Sequence, residues 1–144
     1  MNGVITVGAI NNQGEIWSYS QRGSSMDLVA PSGNINSSGD VRTTDRMGAL
    51  GYNEDNYTYN FGGTSAAYPQ VAGVAALMLS VRPDLTETQV RTILQNTSRD
   101  LGSLGFDDTY GYGLVNAYAA IQAVRPTVSG PSVICSSGAT FEVS

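Results

Sequence analysis

One short run, Gly62 to Val74, contains the residues most able to do chemistry. It places Ser65 behind two glycines and a threonine, and an apolar stretch follows from Val71 to Leu79. Glycines permit the backbone conformations that a close approach requires, and nothing bulky crowds the hydroxyl. A serine at the positive end of a helix can have its developing negative charge stabilised by free backbone N–H groups and by the helix dipole. The run therefore predicts that Ser65 is a nucleophile.

The same residues predict a helix from Ser65 to Arg82. Pro69 then falls in or near the first turn, where proline is best tolerated. The helix has no polar face, so we expect it to be buried. A structural interpretation of the run is also open, in which the glycines form a loop over a core helix and Ser65 is its N-cap.

The chain lacks the usual base for such a serine. It contains no histidine, and all seven of its basic residues are arginines. A serine hydroxyl needs an adjacent base to take its proton, usually histidine and sometimes lysine, and arginine stays protonated. Only a carboxylate or the terminal amine of Met1 is left, and nothing in the sequence directs either at Ser65. We therefore do not expect the chain alone to be a competent catalyst.

Two motifs resemble those of the subtilisin-like serine proteases, the subtilases (peptidase family S8). The run Gly63 to Gly73, with its serine, proline and glycine in register, is similar to the family's nucleophile signature. Downstream, Gly111 to Ala117 resembles the closing motif Gly-x-Gly-x-Val-Asn-Ala. The segment Asp27 to Pro31 is similar to part of the family's Val-Asp-Val-x-Ala-Pro-Gly stretch. The resemblance covers about Asn2 to Val124. One departure is Gln70, which stands where many subtilases have a histidine that is not catalytic.

This resemblance implies a fold and a reaction. The fold is α/β, a three-layer subtilisin-like arrangement with a parallel sheet, of which the chain holds the C-terminal half. The reaction is endopeptidase hydrolysis of proteins or peptides. Gly63, Thr64 and Ser65 would form the nucleophile and oxyanion loop, with the N–H of Ser65 as one oxyanion donor. Phe61 and Gly62 would contact the leaving-group side of the substrate.

The resemblance also explains the missing base. The subtilisin triad runs Asp, then His, then Ser along the chain, so a C-terminal part keeps only Ser65. The His, the Asp and the oxyanion Asn would lie in an N-terminal part of the same domain, which becomes a partner of this chain. We expect the isolated chain to be inactive and only partly folded or prone to aggregation, because half of a sheet leaves edges and apolar flanks uncovered.

Several short strands are predicted outside this helix. Val4 to Ile10 is β-branched and continuously apolar, as in a parallel sheet, and Asp27 to Ala30 forms a second short core strand. One or two further short strands are predicted near Val41 to Thr44 and Tyr57 to Phe61, joined by an exposed loop.

Two more helices are predicted from their caps. Thr86 and Gln89 form a capping box, and a helix follows over about Glu87 to Gln95, with Val90, Ile93 and Leu94 on its apolar face and with Arg91 and Gln95 off it. Asn116 caps a last helix that runs through Ala123.

The end of the chain changes character after Arg125. Val133–Ile134 and Thr140 to Val143 are predicted to be strands around a Ser-Ser-Gly turn, typical of the first hairpin of an immunoglobulin-like module. The predicted domains are therefore a catalytic part at 1–124, a linker at 125–130 and the start of a β domain at 131–144. Cys135 is expected to be a small buried hydrophobe or an unpaired half-cystine.

Composition restricts the partners. A net charge of −5 without a basic cluster argues against nucleic acid, and no uninterrupted apolar run has the roughly 18 residues that a membrane span requires. The acidic patch at 53–56 (Asn-Glu-Asp-Asn) offers hard oxygens that suit calcium. A solvated loop is the favoured interpretation, so calcium is possible but we assign no cofactor. Low charge with many Gly, Ser, Asn and Tyr residues is typical of a secreted or cell-surface protein, here of bacterial type.

Two alternatives stay open at this point. One keeps the fold but uses a glutamate as base, as in the sedolisin relatives of the subtilases. The other is a non-catalytic subtilase-like scaffold that binds peptides or surfaces, which the absence of histidine would suit. The intact loop around Ser65 favours the enzyme.

Overall fold

The central sheet is parallel. The computed structural model describes residues 3–34, 41–129 and 142–143 of the chain. In it, β1 (Val7–Ile10) pairs with β2 (Leu28–Pro31), with Val7 opposite Leu28. Both strands are short, apolar and almost wholly buried, as expected of a parallel sheet covered by other elements. The α/β class with a parallel sheet is confirmed, although β1 begins at Val7 and not at Val4.

The closing motif adds a third strand-like neighbour to this sheet. The Val29 N–H donates to the Gly113 carbonyl at 2.9 Å, and the Val115 N–H donates to the Val29 carbonyl at 3.0 Å. Gly111 makes this approach possible, because its φ is +63° and a Cβ there would lie 2.5 Å from the Asp27 carbonyl oxygen. The first glycine of the motif is thus required by its close contact with the backbone of β2.

A hairpin lies between β2 and the nucleophile run. Strands β3 (Val41–Thr44) and β4 (Tyr57–Phe61) pair antiparallel with a register shift between Val41 and Thr43. Their bounds agree with the prediction. Residues 45–56 connect them, with one 3-10 turn at Gly48–Leu50, and this connection is mostly exposed as predicted.

The helix α1 (Thr64–Val81) packs against the sheet and against α3 (Ala117–Val124). Its buried residues all lie on one side: Ala66, Ala67, Val71, Val74 and Met78. The opposite side is open, with Tyr68 exposed by 59% and Leu77 by 53%. The prediction of a wholly buried helix is therefore wrong for this chain. The absence of a polar face indicates that burial would be favourable on every side of the helix, but the described residues cover only one side.

By length and composition alone, α1 would also qualify as a membrane span, and it is the one helix of the described ranges that does. The sequence prediction counted uninterrupted apolar residues and so missed it. Core helices of soluble proteins meet the same criterion, and the contacts of α1 with β1, β2 and α3 are those of a core helix.

The other two helices begin as predicted. Helix α2 (Glu87–Thr97) starts with the Thr86–Gln89 capping box, and Asn116 caps α3 by accepting the Ala119 N–H at 3.0 Å. Both helices contribute to one core together with β1, β2 and α1.

Helix α2 also carries a polar contact that the sequence prediction missed. Asp27 is 1% exposed, and its Oδ1 accepts from Arg91 Nε at 2.8 Å and from Gln95 Nε2 at 2.7 Å. Its Oδ2 accepts the Thr6 N–H at 2.8 Å. Arg91 and Gln95 therefore do not simply face solvent off the apolar side. They satisfy a buried carboxylate, which would otherwise be very costly to desolvate.

Little of the predicted C-terminal hairpin falls within the described residues. Val128–Ser129 (β5) pairs antiparallel with Glu142–Val143 (β6). The second predicted strand, Thr140 to Val143, overlaps β6. Its described partner is Val128–Ser129, inside the segment predicted to be a linker, while Val133–Ile134 and Cys135 lie outside the described residues. The immunoglobulin-like module stays a prediction.

Candidate active site

Ser65 is the second residue of α1, and it is exposed. The N-cap is Gly63, with φ 73° and ψ 177°, and no side chain caps the helix there. The interpretation of Ser65 as the N-cap is therefore wrong. The first amides of a helix have no intrahelical partner, and Ser65 contributes one of them. A hydroxyl and an available N–H thus belong to the same exposed residue.

The other residues of the predicted site adjoin Ser65 in the chain. Phe61 ends β4 and is partly buried, Gly62 and Gly63 are buried, and Thr64 is the first, partly buried residue of α1. The structure thus brings the nucleophile loop (Gly63 to Ser65) to the start of α1. The substrate contacts of Phe61 and Gly62 stay a prediction.

Gly63 is held to the segment that follows β2. Its carbonyl accepts the Ser32 hydroxyl at 2.6 Å and the Ala66 N–H at 3.1 Å, and its N–H donates to the Gly33 carbonyl at 3.3 Å. A backbone with φ near +73° and extended ψ is essentially restricted to glycine. The residue type permits this conformation, and the hydrogen bonds fix it.

The second turn of α1 is joined to the last residue of β2. Pro69 is the sixth helical residue, directly after the first turn and so near it, as predicted. Because proline has no N–H, the carbonyl of Ser65 loses its usual partner four residues on. The side chain of Gln70, next to Pro69, donates from Nε2 at 2.7 Å to the Ala66 and the Pro31 carbonyls, which ties this turn to β2.

Two aromatic residues support the segment from its other side. Trp17 Nε1 donates to the Ser32 carbonyl at 2.9 Å, and the Tyr19 hydroxyl donates to the Gly33 carbonyl at 2.5 Å. Their rings stack with centroids 5.8 Å apart. The sequence analysis missed Ser32, Trp17 and Tyr19 as site-related residues, because only the fold brings them near the nucleophile loop. The available signal was the position of Ser32, directly after the family-like segment that ends at Pro31.

Ser65 has no base among the described residues. None of them hydrogen-bonds to its hydroxyl, and the buried carboxylate of Asp27 is already occupied by Arg91, Gln95 and Thr6. The arrangement can therefore present a nucleophile and an oxyanion donor, and it needs a proton acceptor from elsewhere.

A metal centre is not evident in the described parts of the chain, since they contain no group of three or more His, Cys, Asp or Glu side chains placed to hold an ion. Residues 53–56, considered above for calcium, are exposed. The assignment of calcium stays open, and no chemical step is derived through a metal ion.

One carboxylate orders the loop before the closing motif. Burial acts to raise the pKa of Asp107, but the N–H groups of Tyr110, Thr109 and Ser103 donate to its carboxylate and hold the pKa below the usual 3.8. Donors to a charged carboxylate favour the charged form. The loop that leads to Gly111 is thus fixed by an ionised side chain.

Known proteins resemble this chain in sequence and in structure. A calcium-dependent protease of Trichormus variabilis is 37% identical over a match that covers 89% of this chain and 22% of the relative. A subtilisin of Bacillus pumilus is 42% identical over 118 residues, covering 82% and 37%. The solved structure of a Pseudoalteromonas arctica protease superimposes with a TM-score of 0.72 at 36% identity, covering 85% of this chain and 36% of that protein. The predicted subtilisin-like fold is thereby confirmed.

The chain spans only 22% and 37% of the length of these two curated relatives. A family model, that of the subtilases (peptidase family S8), matches residues 1–113. This match includes β1, β2, the hairpin, the nucleophile loop with Ser65, and the first two helices. On this evidence the chain belongs to the subtilase family.

Proposed function

We propose that this chain supplies the nucleophile of a subtilisin-like serine endopeptidase, and that Ser65 is that nucleophile. The observation that carries the proposal is the geometry at the start of α1. An exposed serine lies two residues after the left-handed Gly63 cap, in a first turn that no side chain caps. The protease names of the relatives support the same reaction.

In this reaction Ser65 Oγ attacks the carbonyl carbon of a peptide bond. Its proton passes to a base, and the carbonyl oxygen becomes an oxyanion that the Ser65 N–H can stabilise. The amine then leaves with the proton, and water releases the acyl group from Ser65. This chain provides the attacking oxygen and one donor in that sequence.

The base, its orienting aspartate and a second donor belong to a preceding part of the domain in this proposal. Its support is the absence of histidine and lysine from the sequence and the small share of each relative that the chain spans. The chain alone is then inactive, with protein or peptide as the substrate of the whole enzyme. Secretion or attachment to the surface of a bacterial cell is part of the same proposal, as is an immunoglobulin-like module after residue 130.

Labelling with a fluorophosphonate probe tests the proposal. Such a probe bonds covalently to an activated serine, so it reports the nucleophile together with its base. We expect labelling of Ser65 in a version extended upstream to the natural start of the reading frame, and none in the 144-residue chain. Peptide mapping supplies an internal control, because Ser80 is another exposed serine of α1 and should stay unlabelled.

A non-catalytic peptide-binding scaffold is the second candidate, since no histidine or lysine is present to act as base. Its signature would be a well-folded extended protein that no fluorophosphonate labels. That result would reject the endopeptidase proposal and favour the scaffold.

A further inference from the structure

The last residue of β2, Pro31, and the residue after it, Ser32, are each hydrogen-bonded to the start of α1. Ser32 donates to the Gly63 carbonyl at 2.6 Å, two residues before Ser65. Gln70 bridges the Pro31 and Ala66 carbonyls, each at 2.7 Å. Ser65 lies between these two attachments, so its position depends on both.

The bond from Ser32 controls more than one carbonyl. A peptide unit is planar, so fixing the direction of the Gly63 carbonyl also fixes the N–H of Thr64. The same carbonyl accepts the Ala66 N–H at 3.1 Å. The orientation of the nucleophile loop and the start of the helix are therefore set together by one buried hydroxyl, whose residue is 8% exposed.

The bond from Gln70 acts where the helix is weakest. Pro69 leaves the Ser65 carbonyl without its helical donor, which removes one restraint next to the nucleophile. Gln70 Nε2 has two hydrogens, and one goes to the adjacent carbonyl of Ala66 while the other goes to Pro31. The side chain thus adds a restraint between the helix and β2, close to the Ser65 carbonyl.

The anchor itself is rigid. Trp17 and Tyr19 hold the carbonyls of Ser32 and Gly33, and the two rings stack on each other. A donor fixed in this way can transmit position to Gly63, whereas a donor on a loose loop could not.

We infer that Ser32 and Gln70 are positioning residues, which act through Gly63 and Ala66 to hold the Ser65 hydroxyl and its N–H in the reactive arrangement. Neither residue touches the reacting atoms. Both depart from the family pattern given above, since Ser32 stands at the glycine of its Ala-Pro-Gly segment and Gln70 at the frequent histidine. The inference rests on the proposed function, because it assigns a role relative to a nucleophilic Ser65.

Kinetics per active site test this inference in the full-length protein. Active sites are counted by fluorophosphonate incorporation, and kcat and KM for a peptide substrate are measured for Ser32→Ala and Gln70→Ala. We expect kcat per labelled site to fall by about three- to tenfold in each variant, the effect of one net hydrogen bond, with KM within about twofold. Ser32→Thr keeps the hydroxyl and should restore most of kcat.

The matched control is Ser98→Ala. Ser98 also makes one partly buried hydrogen bond, from Oγ to the Leu94 carbonyl at 2.7 Å, but it follows α2 and not the nucleophile loop. It should lower thermal stability without changing kcat per labelled site. Gln70 is exposed, so its truncation leaves no cavity and keeps the test valid even if the Ser32 variants fold poorly.

The outcomes separate the two proposals. If Ser32→Ala and Gln70→Ala lose only thermal stability and keep the wild-type kcat per labelled site, their role is structural and the inference is rejected. If the wild-type protein is not labelled at all, the endopeptidase proposal fails first and the inference fails with it.

Discussion

Helices α1 and α2 begin in opposite ways. At the start of α2, Thr86 Oγ1 accepts the Gln89 N–H at 3.3 Å, and Gln89 Oε1 accepts the Thr86 N–H at 2.7 Å. At the start of α1, Gly63 has no side chain to offer, and no side-chain cap hydrogen bond forms. One helix start is satisfied by its own side chains, while the other leaves its amides open beside Ser65.

This difference shows how one backbone element can serve stability or chemistry. A capping box occupies orphan amides and stabilises the helix, typically by about 1 kcal/mol. An uncapped start gives up that stabilisation but keeps partial positive charge available for an incoming oxygen. In this chain Ser32 and Gln70 hold the start of α1 by donating to carbonyls, so they do not occupy the amide of Ser65.

The largest expected effect comes from removing the hydroxyl itself. Ser65→Ala in the full-length protein should abolish fluorophosphonate labelling and lower kcat by about 10⁴- to 10⁶-fold, because only binding and oxyanion stabilisation are left. Thermal stability should hardly change, since Ser65 is exposed. Retention of more than a hundredth of the wild-type rate would show that another residue is the nucleophile.

The next effect tests whether the open start of α1 depends on its glycine. Gly63→Ala forces a side chain into a conformation with φ 73° and ψ 177°, which costs about 1–3 kcal/mol. We expect both lower stability and a labelling rate reduced by about tenfold or more, as the loop relaxes.

Gly105→Ala is the matched control for this change. Gly105 also has a positive φ, +82°, with open space around the missing Cβ, so an alanine there adds backbone strain far from Ser65 in the chain. It should reduce stability and leave the labelling rate per folded molecule unchanged. Equal labelling losses in both variants would mean that the effect at Gly63 is a general loss of folding.

A smaller effect is expected at the capped helix. Thr86→Ala removes the capping box of α2 and should lower the free energy of unfolding by about 1 kcal/mol, or Tm by about 2–8 °C. Thr88→Ala changes an exposed threonine in the first turn of the same helix and should have a smaller effect. Neither should alter kcat, and a catalytic defect in Thr86→Ala would contradict the division between the two helix starts.

The smallest effect concerns the loop before the closing motif, whose backbone N–H groups donate to the Asp107 carboxylate. The pKa of Asp107 is lowered in the folded state, so its ionised form contributes stability above the unfolded pKa, and that contribution is lost as the pH falls through the lower folded pKa. The stability difference between wild type and Asp107→Asn should therefore shrink in acid. For Asp108→Asn, a change at the adjacent exposed residue, the stability difference from wild type should not shrink in acid in this way.

Local patterns in the sequence predicted much of this architecture. The bounds of β3 and β4, the capping box of Thr86 and the cap at Asn116 are correct, because each depends on neighbouring residues. The start of α1 was predicted within one residue, and the parallel sheet followed from continuous apolar strands.

Apart from shifts in where individual elements begin, the main omissions involve contacts between distant parts of the chain. The bond from Arg91 to Asp27 joins residues 64 positions apart, and the bond from Ser32 to Gly63 spans 31 positions. Neither leaves a periodic signal. The exposed side of α1 was misjudged because an apolar pattern shows that a face prefers burial, but it does not show what covers that face.

The glycine-rich closing motif also has a consequence for how the chain folds. Strand β2 has β1 as one neighbour and residues 113–115 as the other, so its second hydrogen-bonded edge stays open until nearly the whole subtilase segment has been synthesised. Ordering such a distant pairing requires closing a long loop, which slows folding. During that interval the inner strand of the finished sheet is temporarily an edge strand, and an edge of this kind is the place where a second nascent chain could pair instead.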